Sequence, residues 1–376
     1  MPAMSPAVKT HMPTTEPYAG RIARLLEHLA TASADAMLIS NPIDVGYLTG
    51  FLGGDSTLLV GAWRPVVISD FRYQEELQAV QGLADVHIRS SSMLAGIADV
   101  LGGLTWERLG VQAEVMPVAE FDALSERLGR SRLVTTSGLV GALRRRKDES
   151  ELDLIREAIR IQEKALKRVL PTIKPGQTEL EVAAALEAEM KSLGSSAPGF
   201  PTIIAARANG SLPHYRPGTT KIKKNDMLLI DWGAIHRGYH GDMTRTFALG
   251  KWPGRMQDVY EIVLEAQLRA AGALAPGKST HDVDAVARDY IKDHGFGDAF
   301  GHGLGHGMGM NGHEDPRLNP LYPEMILAVG DVVTVEPGIY LPGEGGVRIE
   351  DDYVITETGA ENLCSMKKGL RWATLE

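Results

Sequence analysis

Met227-Leu228-Leu229-Ile230-Asp231 and, after a short interruption, Tyr239-His240-Gly241-Asp242-Met243-Thr244-Arg245-Thr246-Phe247 form the stretch on which the reading of the fold turns. The first run is apolar up to Ile230 and then ends in an acid, the pattern of a buried strand with a carboxylate at its tip. An unpaired buried carboxylate is expensive, and pairing with a cation is the usual remedy. Asp242 follows eleven residues after Asp231, and a hairpin would return it beside that residue. Taken singly, either acid reads as a turn or capping residue. The pair needs company.

That company lies further along the chain. His306 stands in Phe300-Gly301-His302-Gly303-Leu304-Gly305-His306-Gly307-Met308-Gly309, where alternate glycines let backbone and two imidazoles crowd one spot. A flexible linker gains nothing from histidines, whereas imidazole is a common transition-metal ligand. Glu336 follows Val332-Val333-Thr334-Val335 and precedes Pro337-Gly338, again an acid at a strand end. Glu350 closes Gly346-Val347-Arg348-Ile349-Glu350, which alternates like a strand with Arg348 and Glu350 on one side; a simple ion pair competes there. Four carboxylates and one imidazole are what two divalent ions ~3.5 Å apart require. Such a pair activates water and polarises a carbonyl, which is amide hydrolysis without a protein nucleophile.

Towards the N-terminus the texture is regular. Ile22, Leu25, Leu26 and Leu29 recur at helical spacing, and Ala36-Met37-Leu38-Ile39 predicts a strand before a turn at Asn41-Pro42. Strands are expected at Leu58-Leu59-Val60, Val66-Val67-Ile68 and Val86-His87-Ile88, with a helix from Glu75 to Val80. Residues 18–139 thus read as an α/β domain without a phosphate-binding glycine pattern. Residues 140–150 read as a linker, in which Arg144, Arg145, Arg146 and Lys147 run into Asp148, Glu149 and Glu151 as the solvated start of a helix. A long amphipathic helix then carries Leu152, Ile155, Ile159, Ile161, Ala165 and Leu170, and a second spans Leu180 to Leu193. The second domain occupies 151–376, and residues 1–17, rich in Pro, Thr and Ser, read as a loose tail.

Composition excludes several classes. The chain has 376 residues, a net charge of −9 and no basic stripe, which argues against nucleic acid as a partner. No apolar run reaches the ~18–20 residues of a membrane span, so no membrane partner is expected. Cys364 is the single cysteine, which excludes an intrachain disulfide and makes the cytoplasm the expected compartment.

Five segments, Leu229 to Ala234, Gly241 to Phe247, His302 to Gly307, Val335 to Gly338 and Arg348 to Asp351, resemble in order the metal motifs of the pita-bread metallopeptidases. Asn41-Pro42, Tyr47 to Phe51 and Phe71-Arg72-Tyr73 are similar to the N-terminal domain of prolidases and Xaa-Pro aminopeptidases, a domain methionine aminopeptidases lack. The resemblance implies an α/β creatinase/prolidase-like N-terminal domain followed by an α+β pita-bread catalytic domain. It makes Asp231, Asp242, His306, Glu336 and Glu350 the ligands of two divalent ions, Mn²⁺ above Co²⁺, Zn²⁺ or Fe²⁺, with Asp242 and Glu350 bridging. It further implies a homodimer. His214 corresponds to a substrate clamp, His302 to a pocket wall and His313 to a proton-handling or substrate-orienting residue. Imidazoles there would donate to the oxyanion or leaving nitrogen, Glu336 would carry the proton of water, and Arg348 would steady Glu350 or a substrate carboxylate. Asn311-Gly312 departs from the family, which carries a larger acidic or apolar residue before His313. His11, His28, His87, His281 and His294 match nothing.

The expected activity is hydrolysis of the N-terminal Xaa-Pro bond of short peptides with proline second, as an Xaa-Pro aminopeptidase. The alternatives are an Xaa-Pro dipeptidase, a metal-free creatinase-like amidinohydrolase, or an inactive binding module. The last two lose ligand positions in the relatives that resemble them, and here all five stand.

Overall fold

The computed structural model describes residues 16–375, so most of the expected tail, and His11 with it, lies outside the described residues; Pro17 falls within the first helix. The described chain forms two compact units, divided between Leu143 and Arg144.

The first unit runs α1 (Glu16–Thr31), β1 (Ala36–Ile39), α2 (Pro42–Thr49), β2 (Thr57–Gly61), β3 (Val66–Ser69), β4 (Asp85–Ile88), α3 (Met93–Gly102), β5 (Leu109–Gln112), α4 (Val118–Leu128) and β6 (Leu133–Thr136). Its mixed sheet has the order β4-β3-β2-β1-β5-β6. Every residue of β1 is buried, as suits a strand covered on both faces. Leu38, Leu59, Ile68 and Val111 pack there with Ile97, Leu101 and Leu124 from the helices. Two expectations change in detail. Asn41-Pro42 starts a helix rather than a turn: the Asn41 side chain accepts the N–H of Ile43, and Pro42 at the first helical position has its φ already set. The segment expected as a helix from Glu75 is a short 3₁₀ turn, Glu76–Val80.

The chain crosses into the second unit within α5 (Leu139–Arg145), followed by α6 (Glu149–Val169) and α7 (Glu179–Ser192). Both α6 and α7 open on capping boxes, Asp148 with Glu151 and Thr178 with Glu181. Then come β7 (Ile203–Ala206), β8 (Met227–Trp232), β9 (Ile235–His236), β10 (Tyr239–His240), β11 (Met243–Leu249), α8 (Met256–Ala273) and α9 (Thr280–Asp293). The remainder is β12 (Gly305–Gly307), β13 (Glu314–Leu318), β14 (Val332–Val335), β15 (Gly338–Leu341), β16 (Gly345–Arg348), β17 (Asp351–Thr356), β18 (Gly359–Asn362), α10 (Leu370–Ala373) and β19 (Thr374–Leu375). The main sheets have the orders β19-β11-β8-β7 and β13-β12-β14-β17-β18, and β15 pairs with β16 as a hairpin.

The basic run before α6 corrects the reading of a solvated helix start. Arg144 and Lys147 are buried and both hold Glu314, at 2.5 and 2.7 Å, while Arg145 pairs with Asp331 at 2.6 Å. Acids adjacent in sequence suggested a surface, but the real partners sit far downstream. Among the described residues no helix is long and apolar enough to cross a membrane.

Candidate metal centre

Antiparallel pairing of β8 with β11 sets Asp231 opposite Thr244, and Asp242 lies one residue ahead of β11. The small β9–β10 hairpin makes the return that brings the two acids together. It requires close backbone approach: a Cβ on Gly233 would stand 2.3 Å from Gly241 O. His306 is the middle residue of β12, between β13 and β14, and Glu336 follows β14 directly. Glu350 lies in the corner between β16 and β17. One donor atom each from Asp242, His306 and Glu350 lies within 4.8 Å of the other two. His306 Nε2 is 3.3 Å from Glu336 Oε1 and 3.8 Å from Asp242 Oδ2.

Hydrogen bonds settle how His306 is presented. Its Nδ1 lies 3.1 Å from Gly307 O, an acceptor only, so Nδ1 carries the proton and Nε2 turns a lone pair on the acids. Burial, helped by His313, lowers its pKa to about 3, so the ring is neutral. The four acids shift the other way. Burial raises all of them; the charges of Asp231, Asp352 and Glu336 add to the effect at Asp242, and those of Asp242, Glu336 and Asp231 at Glu350. Glu336 is pushed up to about 7.

These side chains fit divalent cations. Asp231 Oδ1 is buried without a hydrogen-bond partner. Among the described residues, Arg348 is the cation hydrogen-bonded to the set, through Asp231 at 2.5 Å. One guanidinium does not balance four carboxylates, and an oxygen-rich set with one imidazole suits hard or borderline ions.

All the expected site residues border one cleft of about 360 Å³: Asp231, Asp242, His306, Glu336 and Glu350 with His214, His302, His313 and Arg348. His214 is exposed, and the His313 ring stacks on His306 with centroids 3.8 Å apart. His302 differs from the reading of imidazoles as donors. Its Nδ1 is 2.7 Å from Gly303 O and its Nε2 is 2.8 Å from Tyr340 Oη. The carbonyl can only accept, so Nδ1 holds the proton and Tyr340 donates to Nε2. Burial first, then Arg348, lowers His302 to about 4, and burial pushes Tyr340 up to about 12. Both ring nitrogens are engaged, which leaves His302 as a wall. Arg348 is likewise committed: it donates to Asp231, to Tyr340 Oη at 2.8 Å and to Thr244 Oγ1 at 3.0 Å. It reaches Glu350 through Thr244, which donates to that carboxylate, and by its charge.

Several residues escaped the sequence reading. Thr244 donates to Glu350 Oε2 at 2.6 Å, Thr334 to Glu336 Oε1 at 3.0 Å, and Asp352 Oδ2 accepts the Asp242 N–H at 3.1 Å. Each threonine stands two residues from a proposed ligand, Asp242 or Glu336, and so on the same side of an extended chain, a signal available in the sequence. Tyr340 had none. Arg317 and Arg216 also line the cleft, and neither has an ion-pair partner among the described residues.

Residues 153–357 match the family model of metallopeptidase family M24 and residues 21–146 that of the creatinase/prolidase N-terminal domain. The chain belongs to metallopeptidase family M24. This M24 chain is 34% identical to the Xaa-Pro dipeptidase of Pyrococcus furiosus, over 93% of its own length and 99% of the relative's. Among solved structures it resembles an Xaa-Pro dipeptidase from Bacillus anthracis, with TM-score 0.91, 34% identity and coverage of 95% and 100%. An X-Pro aminopeptidase from Thermotoga maritima MSB8 gives TM-score 0.85, 32% identity and coverage of 93% and 98%. The M24 chain is therefore a metallopeptidase with a creatinase-type N-terminal domain and a pita-bread catalytic domain, a family whose chemistry uses divalent metal.

Proposed function

We propose that this chain is an Xaa-Pro dipeptidase whose two divalent ions are held by Asp231, Asp242, His306, Glu336 and Glu350. The observation that carries the reading is the buried acid set beside Arg317 and Arg216, cations left without acidic partners at the same cleft. A dipeptide brings its free carboxylate within one residue of the scissile bond, where such an arginine meets it. Relatives of two Pyrococcus species named Xaa-Pro dipeptidase, 34% and 32% identical, support this over the aminopeptidase expected from the sequence. The aminopeptidase stays as the second reading because of the Thermotoga structure.

Bound there, the ions would lower the pKa of water and polarise the scissile carbonyl. Glu336, held at Oε1 by Thr334, accepts the proton of the attacking water at its other oxygen and returns it to the departing proline nitrogen. His214 and His313 donate to the peptide carbonyls, and His302 presents its ring to the proline. The oxygen-rich donors support Mn²⁺. Domains at 18–139 and 151–376, cytoplasmic location and a homodimer complete the proposal; the last two rest on the single cysteine and on the family resemblance.

The test compares Ala-Pro, Ala-Pro-Ala and Ala-Ala-Ala with protein of measured metal content. Ala-Pro should exceed Ala-Pro-Ala by at least about tenfold in kcat/KM. The reverse order makes the protein an aminopeptidase, and equal cleavage of both tripeptides removes the proline preference.

A further inference from the structure

His306 Nε2 and Glu336 Oε1 lie 3.3 Å apart, the separation of neighbouring donors around one cation with bonds of ~2.0–2.2 Å. They belong to different strands, so the spacing is set by whatever joins β12 to the end of β14. One hydroxyl does so. Thr334, fully buried in β14, accepts the backbone N–H of His306 at 3.1 Å and donates to Glu336 Oε1 at 3.0 Å. The directions follow from chemistry: the amide only donates, so the single hydroxyl proton is left for the carboxylate. There is little slack around it. A Cβ on Gly305 would stand 2.0 Å from Thr334 O and 2.8 Å from Thr334 Oγ1, so β12 lies directly against this residue. The Glu336 N–H is also held by Leu304 O, at 2.8 Å.

We propose that Thr334 is a positioning residue for the cation shared by His306 and Glu336, and that its hydroxyl sets the affinity of that one position. The inference rests on the two-ion reading above. Thr244 holds a different acid of the centre, donating to Glu350 Oε2 and accepting from Arg348 Nε. The two hydroxyls have no partner in common, and among the described residues the Thr334 hydroxyl bonds only His306 and Glu336, so its loss acts on the position those two share. In T334V the shape is nearly kept, but the His306 N–H loses its acceptor and the Glu336 carboxylate loses its anchor.

The experiment is calorimetric titration of demetallated protein with Mn²⁺, for wild type, T334V, T334A and T334S, with thermal unfolding of each metal-free protein. Wild type takes up two equivalents. T334V keeps one at wild-type affinity and binds the other ~10–100-fold more weakly, as loss of a group that orients a ligand does. T334S, which retains the hydroxyl, restores both. T334A repeats the T334V result and carries the contrast if the valine variant does not fold. The proposal is overturned if folded T334V or T334A binds both equivalents as wild type does, or if T334S is as weak as T334V. Failure of wild type to bind two equivalents is a separate result: it removes the two-ion reading, and this inference with it.

Discussion

The catalytic unit holds two kinds of carboxylate in water-poor surroundings, and their pKa values end on opposite sides of the ordinary range. Glu314 and Asp351 lie in water-poor surroundings that push their pKa up, yet Lys147 and Arg144 at the first, and Arg245 and Lys368 at the second, bring both below the ordinary range. Asp231, Asp242, Glu336 and Glu350 are as deeply placed and end above it. The difference is the number of cations in contact. Each acid of the first kind faces two, whereas Arg348 serves the whole second set. The first kind is complete as folded; the second calls for charge from outside the chain.

Metal removal is the strongest way to break this contrast. Exhaustive chelation should abolish hydrolysis of Ala-Pro, and H306A should lower kcat/KM by orders of magnitude with an unchanged circular dichroism spectrum. Full turnover by demetallated protein would end the metal account. Next in size is stability, measured by urea unfolding without metal. E314Q leaves Lys147 and Arg144 facing a neutral amide and should cost about 3–5 kcal/mol. D242N removes one of the mutually repelling acids and should be neutral or stabilising under the same conditions. Equal losses from the two substitutions would erase the distinction.

The pH dependence of stability sharpens it further. Groups whose pKa is raised by folding stabilise below their unfolded value near 4 and lose that contribution as pH climbs through the folded value, about 7 for Glu336. Metal-free protein should therefore lose stability from about pH 4 to 7, and added Mn²⁺ should flatten the slope at the upper end. Glu314 acts oppositely: its contribution is present above the unfolded value and disappears as pH falls through a lower folded one, so E314Q should unfold less steeply in acid than wild type. The smallest effect is expected from Y340F. Without the hydroxyl, His302 Nε2 and Arg348 Nη1 each lose a partner, for a fall of about tenfold in kcat/KM on Ala-Pro and little change in metal stoichiometry. Loss of a metal equivalent would place Tyr340 among the residues that hold the ions.

Much of this centre was legible in the sequence because strands announce themselves locally. Asp231 ends an apolar run, Glu336 follows another, and glycines crowd His306, so each acid or imidazole could be assigned a direction from its neighbours alone. The β1 to β4 strands of the first unit were readable for the same reason. Asn41-Pro42 was ambiguous because a helix N-terminus and a turn use the same residues; the choice depended on whether α2 could pack.

Partnership was a different matter. Chain order suggested that Arg144 to Lys147 answered the neighbouring acids and that Arg348 answered Glu350, and the family resemblance gave His302 a place in the pocket wall without naming its partners. The structure pairs Arg144 and Lys147 with Glu314, Arg348 with Asp231 and His302 with Tyr340. The sequence by itself determined which residues lie at strand ends and that five potential ligands stand in the order of a metal-binding family, because period and polarity act over a few residues. Tertiary structure alone decided which cation meets which acid and which acids are left over, because hydrogen bonds and charge pairs form at about 3 Å between strands whose separation along the chain carries no trace of that proximity.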